Sequence, residues 1–268
     1  MSIRSDYLRY VSHDGQVLMD NVWRMTVAAT TFGTLVAPLS ACGAGASGPA
    51  RVGGAEGPRG QVARSPMVST APATDPTRIP DVGDRLYRQI PRDTGQVLVV
   101  YGEGENSPDS TAVLYMREGP EWRPMATWPA HNGRSGWTRR HREGDERSPV
   151  GVFGLSDAGG VLDDPGTRLP YLQDANSFAP PNWDEAHQHD FDYVIAIDYN
   201  RRPGHPPDDG ARPEGDAKGG GIWLHLDHGD GTSACVSVPK DAMQFLLRTL
   251  DPARRPVMVM GDRKELRA

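Results

Sequence analysis

Apolar and polar positions alternate in short stretches along the chain, and their spacing predicts a mainly β domain between about Leu86 and Met260. Gln96–Tyr101 and Thr111–Met116 are β-rich runs separated by a turn containing Gly, Ser and Pro. Phe191–Tyr199 alternates, which sets Phe191, Tyr193, Ile195, Ile197 and Tyr199 on one face. Gly221–Asp227 alternates too: Ile222, Leu224 and Leu226 face one way, and Trp223, His225 and Asp227 the other. Pro256–Met260 is expected as a final strand. One helix is expected, Lys240–Leu250, because Met243, Leu246, Leu247 and Leu250 recur at helical spacing after Pro239, where a proline is tolerated. Two segments rich in Pro, Gly and Asp, 163–185 and 201–221, are expected on the surface, covering a cleft.

Upstream the pattern changes twice. Met25–Ala41 carries no charge and is too short for a bilayer span of about 20 residues, so it reads as the apolar region of an export signal. It ends in Leu39-Ser40-Ala41-Cys42, which resembles the lipobox of bacterial lipoproteins, where the cysteine is lipidated. The acidic residues Asp6, Asp14 and Asp20 are unusual ahead of such a signal and suggest a true start further on, near Met19. From Gly43 to about Gly83 the chain is rich in Gly, Ala, Pro, Ser and Arg without periodicity, the composition of a flexible tether. The expected organisation is an export signal over 1–42, a linker over 43–85 and a catalytic domain over 86–262. This places the domain outside the cytoplasmic membrane in the cell envelope, held by the N-terminal lipid alone, as a monomer.

Charge excludes one class of partner. The net charge is −6, and only Lys218, Lys240 and Lys264 are lysines among 29 basic residues, so nothing points to nucleic acid. The two cysteines, Cys42 and Cys235, stand in unlike contexts and make no disulfide framework.

Cys235 lies in Gly229-Asp-Gly-Thr-Ser-Ala-Cys-Val-Ser-Val-Pro239, between a strand and the helix. A thiol on a turn of small residues is open to substrate, and the neighbouring amides of Thr232, Ser233 and Ala234 are free to face an oxyanion. A cysteine nucleophile needs a base. His225 shares the strand face of Trp223 and Asp227, and a tight loop returns the chain over it. His228, on the Gly-rich loop, is a second candidate for the base or a supporting role.

These residues resemble the L,D-transpeptidase catalytic (YkuD-like) domain of bacterial cell-wall enzymes. His225 through Cys235 is similar to the family's histidine, spacer and Ser/Thr-x-Gly-Cys, with Thr232 at the hydroxyl position. Ser148-Pro-Val-Gly-Val-Phe153 resembles its Thr-Pro-x-Gly-x-Phe segment. His131-Asn-Gly-Arg-Ser-Gly-Trp137, with Glu143-Gly-Asp145 beyond it, resembles the Gly-rich segment that precedes it in some branches. The departures are Ala234 for glycine, Ser233 for a frequent histidine, and Ser237 where many members have Arg or Asn. The resemblance implies a β-sandwich or barrel-like fold with one helix after Cys235. It implies a peptidoglycan L,D-transpeptidase that forms an acyl-enzyme on Cys235 with His225 as base, and passes a stem peptide to an amine acceptor. An L,D-carboxypeptidase or amidase of the same chemistry, and a non-catalytic wall-binding lipoprotein, are the alternatives. No cofactor is implied.

His187-Gln-His189-Asp190 and His205 have metal-ligand residue types but no complete ligand set, so they are expected as solvated loop residues and no metal is expected. Lys218-Gly-Gly-Gly221 lacks the order of a phosphate loop and gives the following strand room. Trp122, Trp128, Trp137 and Trp183 are expected in the core or a cleft wall.

Overall fold

The computed structural model describes residues 75–179 and 187–268. The export signal, Cys42 and Trp183 lie outside the described residues, as does the linker up to residue 74. Among the described residues no helix is long and apolar enough to cross a membrane.

The strands are β1 Gln96–Gly102, β2 Asp109–Glu118, β3 Glu121–His131, β4 Trp137–Thr138, β5 Ser148–Pro149, β6 Gly151–Gly160, β7 Tyr171–Gln173, β8 Val194–Ile197, β9 Trp223–Leu226, β10 Val236–Val238 and β11 Val257–Asp262. The α-helices are α1 Asp84–Tyr87, α2 Ala175–Phe178, α3 Lys240–Thr249 and α4 Arg263–Arg267. The main sheet runs β11-β1-β2-β3-β10-β9-β8-β6, and β6 pairs back onto β11, so these strands close into a barrel. β7 is added to the far half of β6, and β4 and β5 pair separately. Most neighbours are antiparallel; β1 with β11 and β9 with β10 are parallel. The domain is mainly β, as its patterning and the family resemblance imply.

Alternation decides what each wall buries. Leu98 and Val100 of β1 point into a core shared with Leu224 of β9, Val236 of β10 and Met258 and Met260 of β11. Val97, Val99 and Tyr101 point out, yet they are buried as well, because Ile79, Val82, Leu86 and Leu266 cover that wall. A strand buried on both faces needs no polar positions, which is why β1 reads as an unbroken apolar run. Residues 79–85, which composition assigned to the linker, are therefore part of the packed domain, and the domain extends past residue 262 through Leu266. Short apolar anchors in a polar stretch carry no periodicity, so composition alone misses them.

α3 follows the sequence expectation closely. Met243, Leu246 and Leu247 are fully buried in the barrel core, each worth roughly 1.5–3 kcal/mol relative to exposure. Pro239 takes the N-cap position with extended ψ, which its fixed ring allows. The expectation of a single helix is too low, since α1, α2 and α4 are short helical turns below the length at which periodicity is readable. The 191–199 alternation is also cut short: Val161 and Leu162 donate backbone hydrogen bonds to Phe191 and Asp192, leaving only Val194–Ile197 as strand. Phe191 leaves the shared face and packs instead on Trp223 and His225.

Six strands, β3 to β7 and β10, are not among those that the patterning predicts, and β10 stands between Cys235 and α3. β3 holds Pro124 and Pro129, which are compatible with it because most of β3 pairs only with β2. β6 is rich in glycine, and at Gly154 a Cβ would fall 2.3 Å from the Asp198 carboxylate. Trp137 and Trp122 are buried and Trp128 packs against the core, as expected.

Candidate active site

The outer face of the β9–β10 wall carries the polar residues. In the parallel pairing Val236 lies beside Leu224 and Ser237 beside His225, with the aliphatic pair in the core and the polar pair outside. Cys235 immediately precedes β10 and shares the Ser237 side. Its Sγ accepts a hydrogen bond from the Trp223 amide at 3.4 Å and lies 3.7 Å from the Gly221 carbonyl. His225 is two residues beyond Trp223 on the same face, as its alternation predicts. No hydrogen bond joins thiol and imidazole among the described contacts.

His225 is almost fully buried, and its Nδ1 lies 2.8 Å from the Leu226 carbonyl. A carbonyl only accepts, so Nδ1 carries the proton and Nε2 is the free base. Burial pushes the His225 imidazole down to about 4 and the Cys235 thiol up to about 11. At neutral pH both groups are uncharged. Phe191 stands edge-on to His225 at 5.1 Å between ring centroids, and the same ring packs on Trp223 at 5.0 Å.

A second set of residues fixes the cysteine turn. Thr232 Oγ1 donates to the Cys235 carbonyl at 2.7 Å. Ser148 Oγ, wholly buried, donates to the Ala234 carbonyl at 2.7 Å and accepts from the Gly133 amide at 2.8 Å. Thr232 and Asn132–Arg134 exchange two further backbone bonds. A side chain at Gly133 would run into the Glu146 carbonyl at 2.5 Å, so only glycine lets this segment approach. The segments around 131–137 and 148–153, noted in the sequence by resemblance alone, are thus the braces of the cysteine turn.

The supporting residues divide. Thr232 and Ala234 hold the turn through a hydroxyl and a carbonyl, whereas the Ser233 side chain is exposed. Ala234 is not among the non-glycine residues with positive φ, so its Cβ meets no backbone penalty where the family has glycine. Ser237 is fully buried and donates to Asp227 Oδ1 at 2.7 Å, which also meets His131 Nδ1 at 2.7 Å. Desolvation of Asp227 opposes ionisation, but the bonds from His131 and Ser237 outweigh it and lower its pKa.

His228 turns its Nδ1 to Asp190. Its ring stacks at 6.3 Å on His225 and its Nδ1 lies 3.1 Å from Asp190 Oδ2, a contact that raises its pKa. His187 Nδ1 is 2.9 Å from the same oxygen, so His187 and Asp190 are not the solvated residues expected. His189 and His205 are largely exposed, as expected.

Both insertions cover the site. Phe178 of α2 packs on Trp223 at 5.6 Å, Trp223 Nε1 donates to the Pro207 carbonyl at 3.2 Å, and Ser177 Oγ donates to Asp208 at 2.8 Å. The root of the second insertion is held by buried Arg201, paired with Asp157 at 3.0 Å and Asp198 at 2.5 Å. Asp190, Ser148 and the Leu226 carbonyl were not identified as site residues from sequence. Ser148 had a signal there within its resembling segment, and Asp190 within the His187-Gln-His189-Asp190 run, which was expected to be solvated.

No curated protein matches the chain. Among solved structures, that of Bd1075 from Bdellovibrio bacteriovorus shares 16% identity, covers 62% of this chain and 47% of its own, and superposes with a TM-score of 0.35. The chain thus spans about half the length of that structure. Residues 106–259, which include Ser148, His225 and Cys235, match the YkuD family model, the L,D-transpeptidase catalytic domain. The chain belongs to the YkuD family of L,D-transpeptidase catalytic domains.

Proposed function

We propose that this protein is a peptidoglycan L,D-transpeptidase that forms an acyl-enzyme on Cys235 with His225 as general base. One observation carries the reading. Cys235, at the start of β10, lies on the same outer face as His225 of the parallel neighbour β9, and His225 Nδ1 is committed to the Leu226 carbonyl, which leaves Nε2 as the lone-pair acceptor that a thiol proton needs.

The neutral resting pair dictates the order of events. Because burial disfavours a thiolate–imidazolium pair, the Cys235 proton passes to His225 Nε2 as the sulfur attacks the carbonyl carbon of an L-residue in the stem peptide. Backbone amides of the Ser233–Cys235 turn face the developing oxyanion, held in place by Thr232 and Ser148. The tetrahedral intermediate collapses by breaking the amide C–N bond, and the departing D-amino acid takes the proton from His225. An acceptor amine then attacks the thioester carbonyl and gives its proton to His225; the C–S bond breaks, and the departing Cys235 sulfur takes that proton back as the new amide leaves. The aromatic roof of Trp223, Phe178 and Phe191 limits water at the thioester, which favours an amine acceptor over hydrolysis. The export signal and Leu39–Cys42 support action at the outer side of the cytoplasmic membrane through a lipid anchor.

The test is incubation with a carbapenem followed by intact-mass spectrometry. A single covalent adduct that disappears in Cys235→Ala is expected. The absence of an adduct in the wild type, with Cys235 also unreactive to iodoacetamide, would refute the nucleophile. Supplying stem peptides with and without an amine acceptor then separates cross-linked from hydrolysed product.

A further inference from the structure

We propose that His187, Asp190 and His228 form a binding site for a divalent transition-metal ion of the zinc class, beside the base histidine. One ligand atom from each lies within 4.8 Å of the other two. Both imidazole Nδ1 atoms converge on a single oxygen, Asp190 Oδ2, from 2.9 and 3.1 Å. Tetrahedral zinc bonds of about 2.0–2.2 Å set ligand atoms roughly 3.3 Å apart, so only small side-chain rotations separate this arrangement from a coordinating one.

A carboxylate shared by two imidazoles is also a common hydrogen-bonded cluster. What distinguishes this one is His228. Its Nδ1 is fully buried, yet the approach to Asp190 is off the axis of a hydrogen bond, and the atom has no hydrogen-bond partner among the described residues. Its one close polar neighbour is therefore the carboxylate that a cation seated between them would share. The backbone is arranged in advance: the Asp190 amide bonds to the His187 carbonyl within one turn, and the Leu226 amide donates to the Asp190 carbonyl at 2.9 Å. That last bond ties the turn bearing two ligands to the end of β9, two residues before the third. Asp190 is buried while the two histidines are partly exposed, which gives an ion a route in. Two imidazoles and one carboxylate are a borderline donor set that suits zinc and its neighbours and disfavours magnesium or calcium, leaving a fourth position for water or substrate. Binding releases any protons on the two Nδ1 atoms, so affinity falls with acidity.

Isothermal titration of the chelator-treated protein with ZnCl2 tests this, with melting temperature as a second readout. One equivalent bound and a raised melting temperature are expected, with no response to MgCl2 or CaCl2. Asp190→Asn and His187→Gln should each weaken zinc roughly 100-fold or more while melting normally without metal. Cys235→Ser should bind zinc as the wild type does, whether or not Cys235 is the nucleophile. Loss of binding in Cys235→Ser would move the ion to the thiol and overturn the assignment. No heat and no melting shift in the wild type would show a hydrogen-bonded cluster only, and equally overturns it.

Discussion

The wall formed by β11, β1 and β2 and the wall formed by β10 and β9 lie on opposite sides of the barrel and are held by different forces. The first is apolar on both faces, with core residues within and a covering layer from α1, α4 and the segment before α1 outside. The second is aliphatic inward, while outward it mixes the aromatic packing of Trp223 with polar groups. Its outer face also carries Cys235, His225, Ser237 and the hydroxyl and carbonyl bonds that fix the cysteine turn. Non-directional packing tolerates small shifts at modest cost, whereas directional bonds hold a sulfur and a turn of amides in one geometry. The division of labour predicts that stability and activity respond to different substitutions.

Cys235→Ala should give the sharpest contrast: no acylation by carbapenem in the mass spectrum, with an unchanged unfolding midpoint. His225→Ala should slow acylation by roughly 10²–10⁴-fold, measured by adduct formation over time. Retention of the wild-type rate would transfer the base to another group. On the opposite wall, Leu98→Ala should cost about 2–5 kcal/mol in denaturant unfolding while the folded fraction acylates normally. Ser148→Ala should move both quantities, with about 1–3 kcal/mol lost and acylation slowed, because the buried carbonyl and amide that it joins are left without their partner.

The pH dependence is the finest test. His225 must be neutral to accept a proton, so acylation holds through neutral pH and falls as the pH drops through about 4. Iodoacetamide, which reports the thiolate, should react slowly at neutrality and faster with rising pH towards about 11. Stability carries the same signature. The folded His225 binds its proton less readily than the unfolded one, so its contribution is complete above about 6.5 and shrinks by about 3 kcal/mol as the pH falls to about 4. His225→Gln should flatten that acid limb in unfolding curves.

The same contrast explains what was legible in the sequence. β1, β2, β9, β11 and α3 announce themselves because their burial is periodic or continuous, and His225 and Cys235 follow from β9's alternation and the turn of small residues after it. β3 and β6 do not, since prolines and glycines are allowed there by long-range pairing and by the approach of Asp198. Residues 79–85 hide for a similar reason, as two apolar anchors, Ile79 and Val82, suffice to dock an otherwise polar segment. His187 and Asp190 lie far from His228 in sequence, and the Leu226–Asp190 backbone bond and the β8–β9 pairing bring them together. Ser148 is a single hydroxyl whose importance depends on two carbonyls 86 and 87 positions away.

The strand that closes the barrel is the last to be made. β11 sits between β1, the first strand, and β6, using both of their free edges. Until Val257–Asp262 has left the ribosome, neither edge has its partner and the barrel stays open, so the chain's longest-range contacts form at the end of synthesis. A chain wired this way completes its barrel only when its last strand is in place, whatever local hairpins have formed before it.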